Sequence, residues 1–156
     1  MRLAALVVLA TAAASASASP PDPDIQPGYW EFSERAVTTT GNQDMDDMLG
    51  LQPQSGSNRQ CLDAATIASM FRDGPVTEQT GCRMQVHNHT RSALYVSMAC
   101  ELEGEDGTLE NSSHEVRYEF AGSRLVVEMR SEGSALVPVV MTYRSEGRYL
   151  GACPAG

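Results

Sequence analysis

The sequence predicts an all-β protein, an antiparallel meander forming a curved sheet or a small barrel, with one short helix near residues 63–71. Three observations support this prediction. Apolar and polar residues alternate in several segments, as in strands that bury one face. Short turn sequences rich in glycine, serine and asparagine separate these segments. Two neighbouring pairs of segments fold into hairpins whose apolar positions match.

The chain begins with a segment typical of a secretory signal peptide. Arg2 precedes an apolar run from Leu3 to Ala14, and Ala16-Ser17-Ala18 fits a small-residue cleavage site. The run is shorter than the roughly 20 residues that span a bilayer. We therefore predict a signal peptide over residues 1–18, a proline-rich leader over 19–27 and a single β domain over 28–156, located in the periplasm or secreted.

The charge of the chain limits its partners. The 156 residues include 20 acidic residues and 11 basic ones, all of them arginine, for a net charge of −9. Loss of Arg2 with the signal peptide would change this to −10. Such a surface repels phosphate backbones. We expect no nucleic-acid partner, and no other run is apolar enough to span a membrane once the signal peptide is removed.

The first half of the β domain contains one strand, one loop and one helix. In "GYWEFSERAV", Trp30 and Phe32 fall on one face, which predicts the first strand. Residues 38–60 are polar and contain glycines and a proline, so we predict a long loop with a short helical turn near Met45–Leu49. The helix follows, because Asp63 suits an N-cap and "TIASMF" has helical apolar spacing.

The stretch "CRMQVHNHTRSALYVSMAC" predicts the first hairpin. Folding it about Arg91 pairs positions whose numbers sum to 182, which opposes Cys82 to Cys100. The same register opposes Met84 to Met98 and Val86 to Val96, so three like pairs agree. A slip by one residue would turn this apolar side outward.

A second hairpin is predicted between "SHEVRYEF" and "LVVEMR", with "AGSR" as the turn. Pairs that sum to 245 oppose Phe120 to Leu125, Tyr118 to Val127 and Val116 to Met129. A last strand is predicted in "VPVVMTYRSEG", where apolar residues again alternate. These strands in succession indicate a meander.

All four cysteines, Cys61, Cys82, Cys100 and Cys153, lie beyond the signal peptide. An even number in an oxidising compartment favours two disulfides, and four cysteines allow three connectivities. The hairpin register favours Cys82–Cys100, since opposed Cβ atoms lie about 4.5–5.5 Å apart. Cys61 would then be left with Cys153. The hairpin bridge would contribute on the order of 3 kcal/mol.

Four motifs in order resemble an exported bacterial family, domain-of-unknown-function family 3617. They are "IQPGYWE" at 25–31, "QCLD" at 60–63, the Cys82 and Cys100 pair, and "GRYLGAC" at 147–153. The resemblance spans nearly the whole mature chain. It implies export and a single small domain, and it implies no activity, cofactor or site residues.

Candidate catalytic and metal residues are few. His87 and His89 are spaced to share the polar face of the first hairpin, but a metal site needs further ligands. We interpret them as solvated strand residues and expect no cofactor. The chain has no G-x-S-x-G motif, and its carboxylates alternate outward on strands. We expect no enzyme activity, although a paired-carboxylate site formed in space is invisible to sequence.

The remaining interpretation is a binding role. The inward faces of the strands predict an apolar surface lined by Trp30, Phe32, Met98, Tyr118 and Met141. We expect a small, exported, disulfide-stabilised, non-enzymatic module that binds an apolar ligand or an envelope partner. The alternative is a structural or envelope-maintenance protein, with a metal-binding protein or an enzyme as further alternatives.

Overall fold

A computed structural model describes residues 20–72, 81–103, 109–134 and 137–154. The predicted signal peptide lies outside these residues. Seven antiparallel strands form one sheet in the order β2-β1-β7-β6-β5-β4-β3. The strands are β1 Gly28–Thr39, β2 Gln54–Leu62, β3 Cys82–His89, β4 Ala93–Glu103, β5 Leu109–Ala121, β6 Arg124–Ser134 and β7 Pro138–Gly151. The predicted all-β meander is confirmed, and of the two predicted forms the sheet is open, with β2 and β3 at its edges.

Both predicted hairpin registers are confirmed. In the first, Cys82 opposes Cys100, and Met84 opposes Met98. In the second, Phe120 opposes Leu125. The last strand is longer than predicted, because β7 continues to Gly151 and pairs with β6 on one side and β1 on the other. The turn signals and the apolar alternation were therefore sufficient to predict how neighbouring strands pair.

The predicted helix near residues 63–71 is also confirmed. Helix α2, Ala64–Ile67, continues as a π-helical turn over Ala68–Arg72. Its N-cap is Asp63, whose Oδ1 accepts a hydrogen bond from the Thr66 amide at 2.7 Å. That hydrogen bond satisfies one of the amides left unpaired at a helix start.

The short helical turn predicted near Met45–Leu49 is confirmed as helix α1, Gln43–Leu49. The long loop predicted over the rest of residues 38–60 is wrong, because most of β2 lies within it. Residues 54–60 of β2 are exposed, so their side chains show no apolar alternation. Backbone pairing with β1, from Gly28↔Leu62 to Ala36↔Gln54, forms this strand instead. Residue composition did not predict this strand because the strand buries almost no side chain.

The core lies on one face of the sheet, which we call the inner face. Trp30 has no exposed surface, and Phe32, Phe120 and Leu125 are buried beside it. Ile67 and Phe71 close over them from α2 and its π turn. Ile25 joins this core from the proline-rich leader, in a bridge to Gly122.

Both disulfides form as the hairpin register favoured. Cys82–Cys100 bridges β3 and β4, with Cα atoms 4.0 Å apart. Cys61–Cys153 joins the end of β2 to the segment after β7, with Cα atoms 5.6 Å apart.

Candidate functional site on the inner face of the sheet

The inner face has two halves that differ in how they are covered. In the covered half, Phe71 packs its ring 5.0 Å from Phe120 and 5.3 Å from Tyr118, both nearly edge-on. Trp30 lies in the same half and contacts Tyr149 at a centroid distance of 5.7 Å. These contacts fill the space beneath the helix with side chains of the protein itself.

The rest of the face carries two adjacent cross-strand rows of residues, which begin at the core, since Val96 is buried and Met84 and Val116 pack against the core. The first runs through Val86, Val96, Val116, Met129, Tyr143 and Ala36. The second runs through Met84, Met98, His114, Ser131, Met141 and Thr38. The four methionines are half-buried, and Val86 at the edge is 49% exposed. We call these four, Met84, Met98, Met129 and Met141, the methionine surface.

The five residues predicted to line an apolar surface divide between these halves. Trp30 and Phe32 are buried in the core, and Tyr118 packs against Phe71. Burial raises the pKa of the Tyr118 hydroxyl. Met98 and Met141 belong to the methionine surface. A ligand could therefore reach the two methionines without disturbing the core, but not the two buried aromatic rings.

The interpretation that His87 and His89 share a face is wrong. A β-bulge interrupts the register at His87, so that Val86 opposes Val96 whereas Asn88 opposes Tyr95. His87 therefore stays on the polar face, stacked on Tyr95 at 4.5 Å and hydrogen-bonded to Ser97 Oγ at 2.6 Å. His89 opposes Leu94 and so turns to the inner face. The bulge separates the two imidazoles onto opposite faces.

Metal-ligand geometry and free thiols are absent from the part of the chain that the structure describes. No group of three or more histidine, cysteine or carboxylate side chains there is placed to hold a metal ion. The third histidine, His114, has its Nδ1 hydrogen-bonded to Ser131 Oγ at 2.8 Å, within the second row of the inner face. All four cysteines are in disulfides.

Two of the sequence motifs meet at one corner of the sheet. Trp30 of "IQPGYWE" packs on Tyr149 of "GRYLGAC", and its Nε1 donates to the Gln26 carbonyl at 3.0 Å. Glu31 accepts hydrogen bonds from Arg148 at 2.8 Å and from Arg59 of β2 at 2.7 Å. These hydrogen bonds, Arg148 first, lower the pKa of the Glu31 carboxyl.

The glycine of the first motif has a steric role at the same corner. Gly28 has a φ of +152°, and a Cβ there would meet the Gly151 carbonyl and the Tyr149 ring. The Cys61–Cys153 disulfide, which carries the cysteines of "QCLD" and "GRYLGAC", closes this corner. These three motifs therefore hold β2, β1 and β7 together.

A comparison with protein families agrees with these motifs. Residues 25–153 match the model of a family described as a protein of unknown function (DUF3617). The chain belongs to this family. In this DUF3617 protein the matched region begins at the buried Ile25 and ends at the disulfide-bonded Cys153, so it contains the whole sheet.

Other comparisons add no further relative. Neither the curated proteins nor the solved structures contain a match to this DUF3617 chain. Within its described residues, no helix has the length and hydrophobicity that crossing a membrane requires.

Two features of the site were missed by sequence reasoning. The bulge at His87 has no glycine in "QVHNHT" to mark it, and Asn88 there pairs within the strand. Ile25 lies between prolines in a segment without periodicity, and only its bridge to Gly122 places it in the core. Apolar alternation predicted that the four methionines face inward. It could not show which part of the inner face the helix covers.

Proposed function

We propose that this protein is an exported, disulfide-stabilised, non-enzymatic module that binds an apolar ligand on its methionine surface. One observation carries the proposal: the apolar rows of the inner face extend well past the helix that covers the core. Met84, Met98, Met129 and Met141 remain half-buried there, on β3, β4, β6 and β7, with β5 between β4 and β6.

The lengths of the elements explain why α2 and its π turn cover only part of the inner face. Helix α2 and its π turn span nine residues together, roughly 14 Å at helical rise. Strand β5 has 13 residues, roughly 43 Å at strand rise. Among the described residues, the core receives side chains from outside the sheet only at Ile25, Ile67 and Phe71. An apolar sheet face is stabilised by a covering layer, which a bound ligand can supply.

The residue type of this surface suits ligands of variable shape. Methionine side chains are unbranched and polarisable, so they adapt to irregular apolar partners. Tyr143 and His114 border the rows and offer hydrogen-bonding groups near an otherwise apolar surface. This mixture of an apolar lining and few polar groups is typical of small-molecule sites.

Export is supported by the N-terminal sequence and by the two disulfides, which persist in oxidising compartments. Expression of the full chain in a bacterium tests it. We expect a periplasmic product whose N-terminal sequencing begins at Ser19. A product that keeps Met1 and stays in the cytoplasm would contradict export and leave the ligand proposal standing.

Binding is tested with N-phenyl-1-naphthylamine, an uncharged dye whose fluorescence rises in apolar sites. We expect saturable binding to the native protein, weakened at least about tenfold by the double substitution Met98→Gln and Met141→Gln because the apolar contacts are lost. The control is Met48→Gln on α1, since Met48 is 76% exposed and belongs to neither row of the inner face. Dye binding that is absent, or equal in both variants, would refute the proposal.

A further inference from the structure

The outer face of the sheet, opposite the core, holds a groove lined by arginines. Its volume is about 410 Å³, and Arg35, Arg117, Arg130 and Arg144 surround it, together with Glu115 and Glu128. We call it the arginine groove. Four positive and two negative side chains face it, although the whole chain has a net charge of −9. Glu132 and Glu146, which pair with Arg130 and Arg144, bring the carboxylates beside these four arginines to four as well.

Three of the four arginines have partners in the protein. Arg144 pairs with Glu128 and Glu146, and Arg130 pairs with Glu132 at 2.6 Å. Arg117 lies 4.7 Å above the Tyr95 ring. It also approaches Glu115 at 3.9 Å. These contacts hold the guanidinium groups in defined positions on the face.

Arg35 differs from its neighbours. Its guanidinium makes no ion pair or hydrogen bond within the described residues, and it lies directly across from Arg144 in the β1–β7 pairing. Like charges in directly opposed positions are unfavourable. The other opposed arginine pair, Arg124 and Arg148, is compensated by Glu146 and Glu31. Of these two opposed pairs, the pair in the groove is the one in which a member, Arg35, has no carboxylate partner among the described residues.

The floor of the groove is less polar than its rim. Val37 and Thr142 contribute their side chains to this floor, whereas Met129 and Tyr143, whose side chains belong to the inner face, line it only through their backbone. An apolar chain could lie against these residues while a charged head reached Arg35. A planar guanidinium pairs with two oxygens of one anion, so it suits phosphate and carboxylate groups.

We propose that the arginine groove binds an amphipathic oxyanion, its phosphate-type head between Arg35 and Arg144 and its apolar chain along Val37 and Thr142. The head supplies the negative charge that Arg35 lacks. This site is on the opposite face from the methionine surface, so it goes beyond the proposed function and does not depend on it.

The test uses n-octyl phosphate below its micelle concentration, measured by isothermal titration calorimetry at low ionic strength. We expect wild-type binding that Arg35→Gln weakens by about tenfold, the loss of one charge-assisted hydrogen-bonded pair. Arg35 is exposed and unpaired, so the variant should fold, and its circular dichroism spectrum checks this. The matched control is Arg83→Gln, an exposed arginine of β3 that does not line the groove.

Two further ligands separate the parts of the proposal. Inorganic phosphate should bind at least about tenfold more weakly than n-octyl phosphate, because it lacks the apolar chain. Uncharged n-octyl-β-glucoside should show no dependence on Arg35. Equal affinity of Arg35→Gln and wild type, an equal loss in Arg83→Gln, or inorganic phosphate binding as tightly as the octyl ester would each overturn the proposal. The Met98→Gln and Met141→Gln variant should bind n-octyl phosphate as wild type does, since a loss there would place the ligand on the inner face.

Discussion

At the scale of single residues, Gly147 shows how tightly the core is packed. It opposes Phe32 across β7 and β1, and the Phe32 ring occupies the space in which a side chain of residue 147 would stand. A Cβ on Gly147 would lie 2.6 Å from Phe32 Cε1. Phe32 is itself buried and stacked beside Trp30 at 6.2 Å, so it has little room to move. The glycine is needed here because of contact and not because of backbone conformation.

Gly147→Ala should therefore destabilise the protein by about 1–3 kcal/mol, the range for overpacking a core. The control is Gly133→Ala on the neighbouring strand β6, where the nearest atom to a new Cβ is Ser112 Cβ at 4.0 Å. That change should be neutral or should stabilise by up to about 1 kcal/mol, because alanine restricts the unfolded chain. Urea unfolding measures both. If the two substitutions changed the free energy of unfolding equally, contact with the Phe32 ring would not be the reason that residue 147 is a glycine.

At the scale of elements, α2 and its π turn decide which part of the inner face is core. The helix presents Ile67 and Phe71 to the sheet, while Met70 between them is 42% exposed. Phe71 is 1% exposed and contacts two aromatic rings of β5. One side chain thus provides much of the attachment of this short helix to the sheet.

Phe71→Ala should destabilise the protein by about 3–5 kcal/mol, through lost burial and the cavity that remains. Met70→Ala, in the same π turn but at an exposed side chain, should change stability by no more than about 0.5 kcal/mol. Thermal and urea unfolding of the two variants give the comparison. If Met70→Ala destabilised the protein as much as Phe71→Ala, the inference that Phe71 attaches the helix to the sheet would be wrong.

The strands differ in how far their sequences predict them. The hairpins β3–β4 and β5–β6 followed from apolar alternation, because each buries one face along its length. Strand β2 did not, because only Leu62 of it is buried, so its other residues show no apolar alternation. The side assigned to His89 was wrong for a related reason, since a bulge changes the face without changing the residue types.

At the scale of the whole molecule, the sheet is open and two disulfides act at opposite edges. Cys82–Cys100 ties the edge strand β3 to β4 across a sequence separation of 18. Cys61–Cys153 ties the edge strand β2 to the segment after β7 across a separation of 92. Each edge strand is held by one covalent bond, which compensates for the pairing that an edge lacks on its outer side.

Removal of the two bridges should have unequal effects. In the chain-entropy model, the double substitution Cys61→Ser and Cys153→Ser should cost about 4–5 kcal/mol, because it releases the longer loop. Cys82→Ser with Cys100→Ser should cost about 3 kcal/mol. Urea unfolding under non-reducing conditions gives both values. A larger loss for the hairpin bridge would show that loop length does not govern these disulfides.

The sequence by itself determined the all-β class, two hairpin registers, the capped helix and the register behind the cysteine pairing. All of these depend on local periodicity or on neighbouring segments. Only the tertiary structure decided that β1 pairs with β7, that β2 is a strand, and that the helix covers half of the inner face. It also placed Arg35 opposite Arg144, 109 positions apart along the chain. Such contacts depend on the packing of distant segments, and no local pattern of residue types encodes that packing.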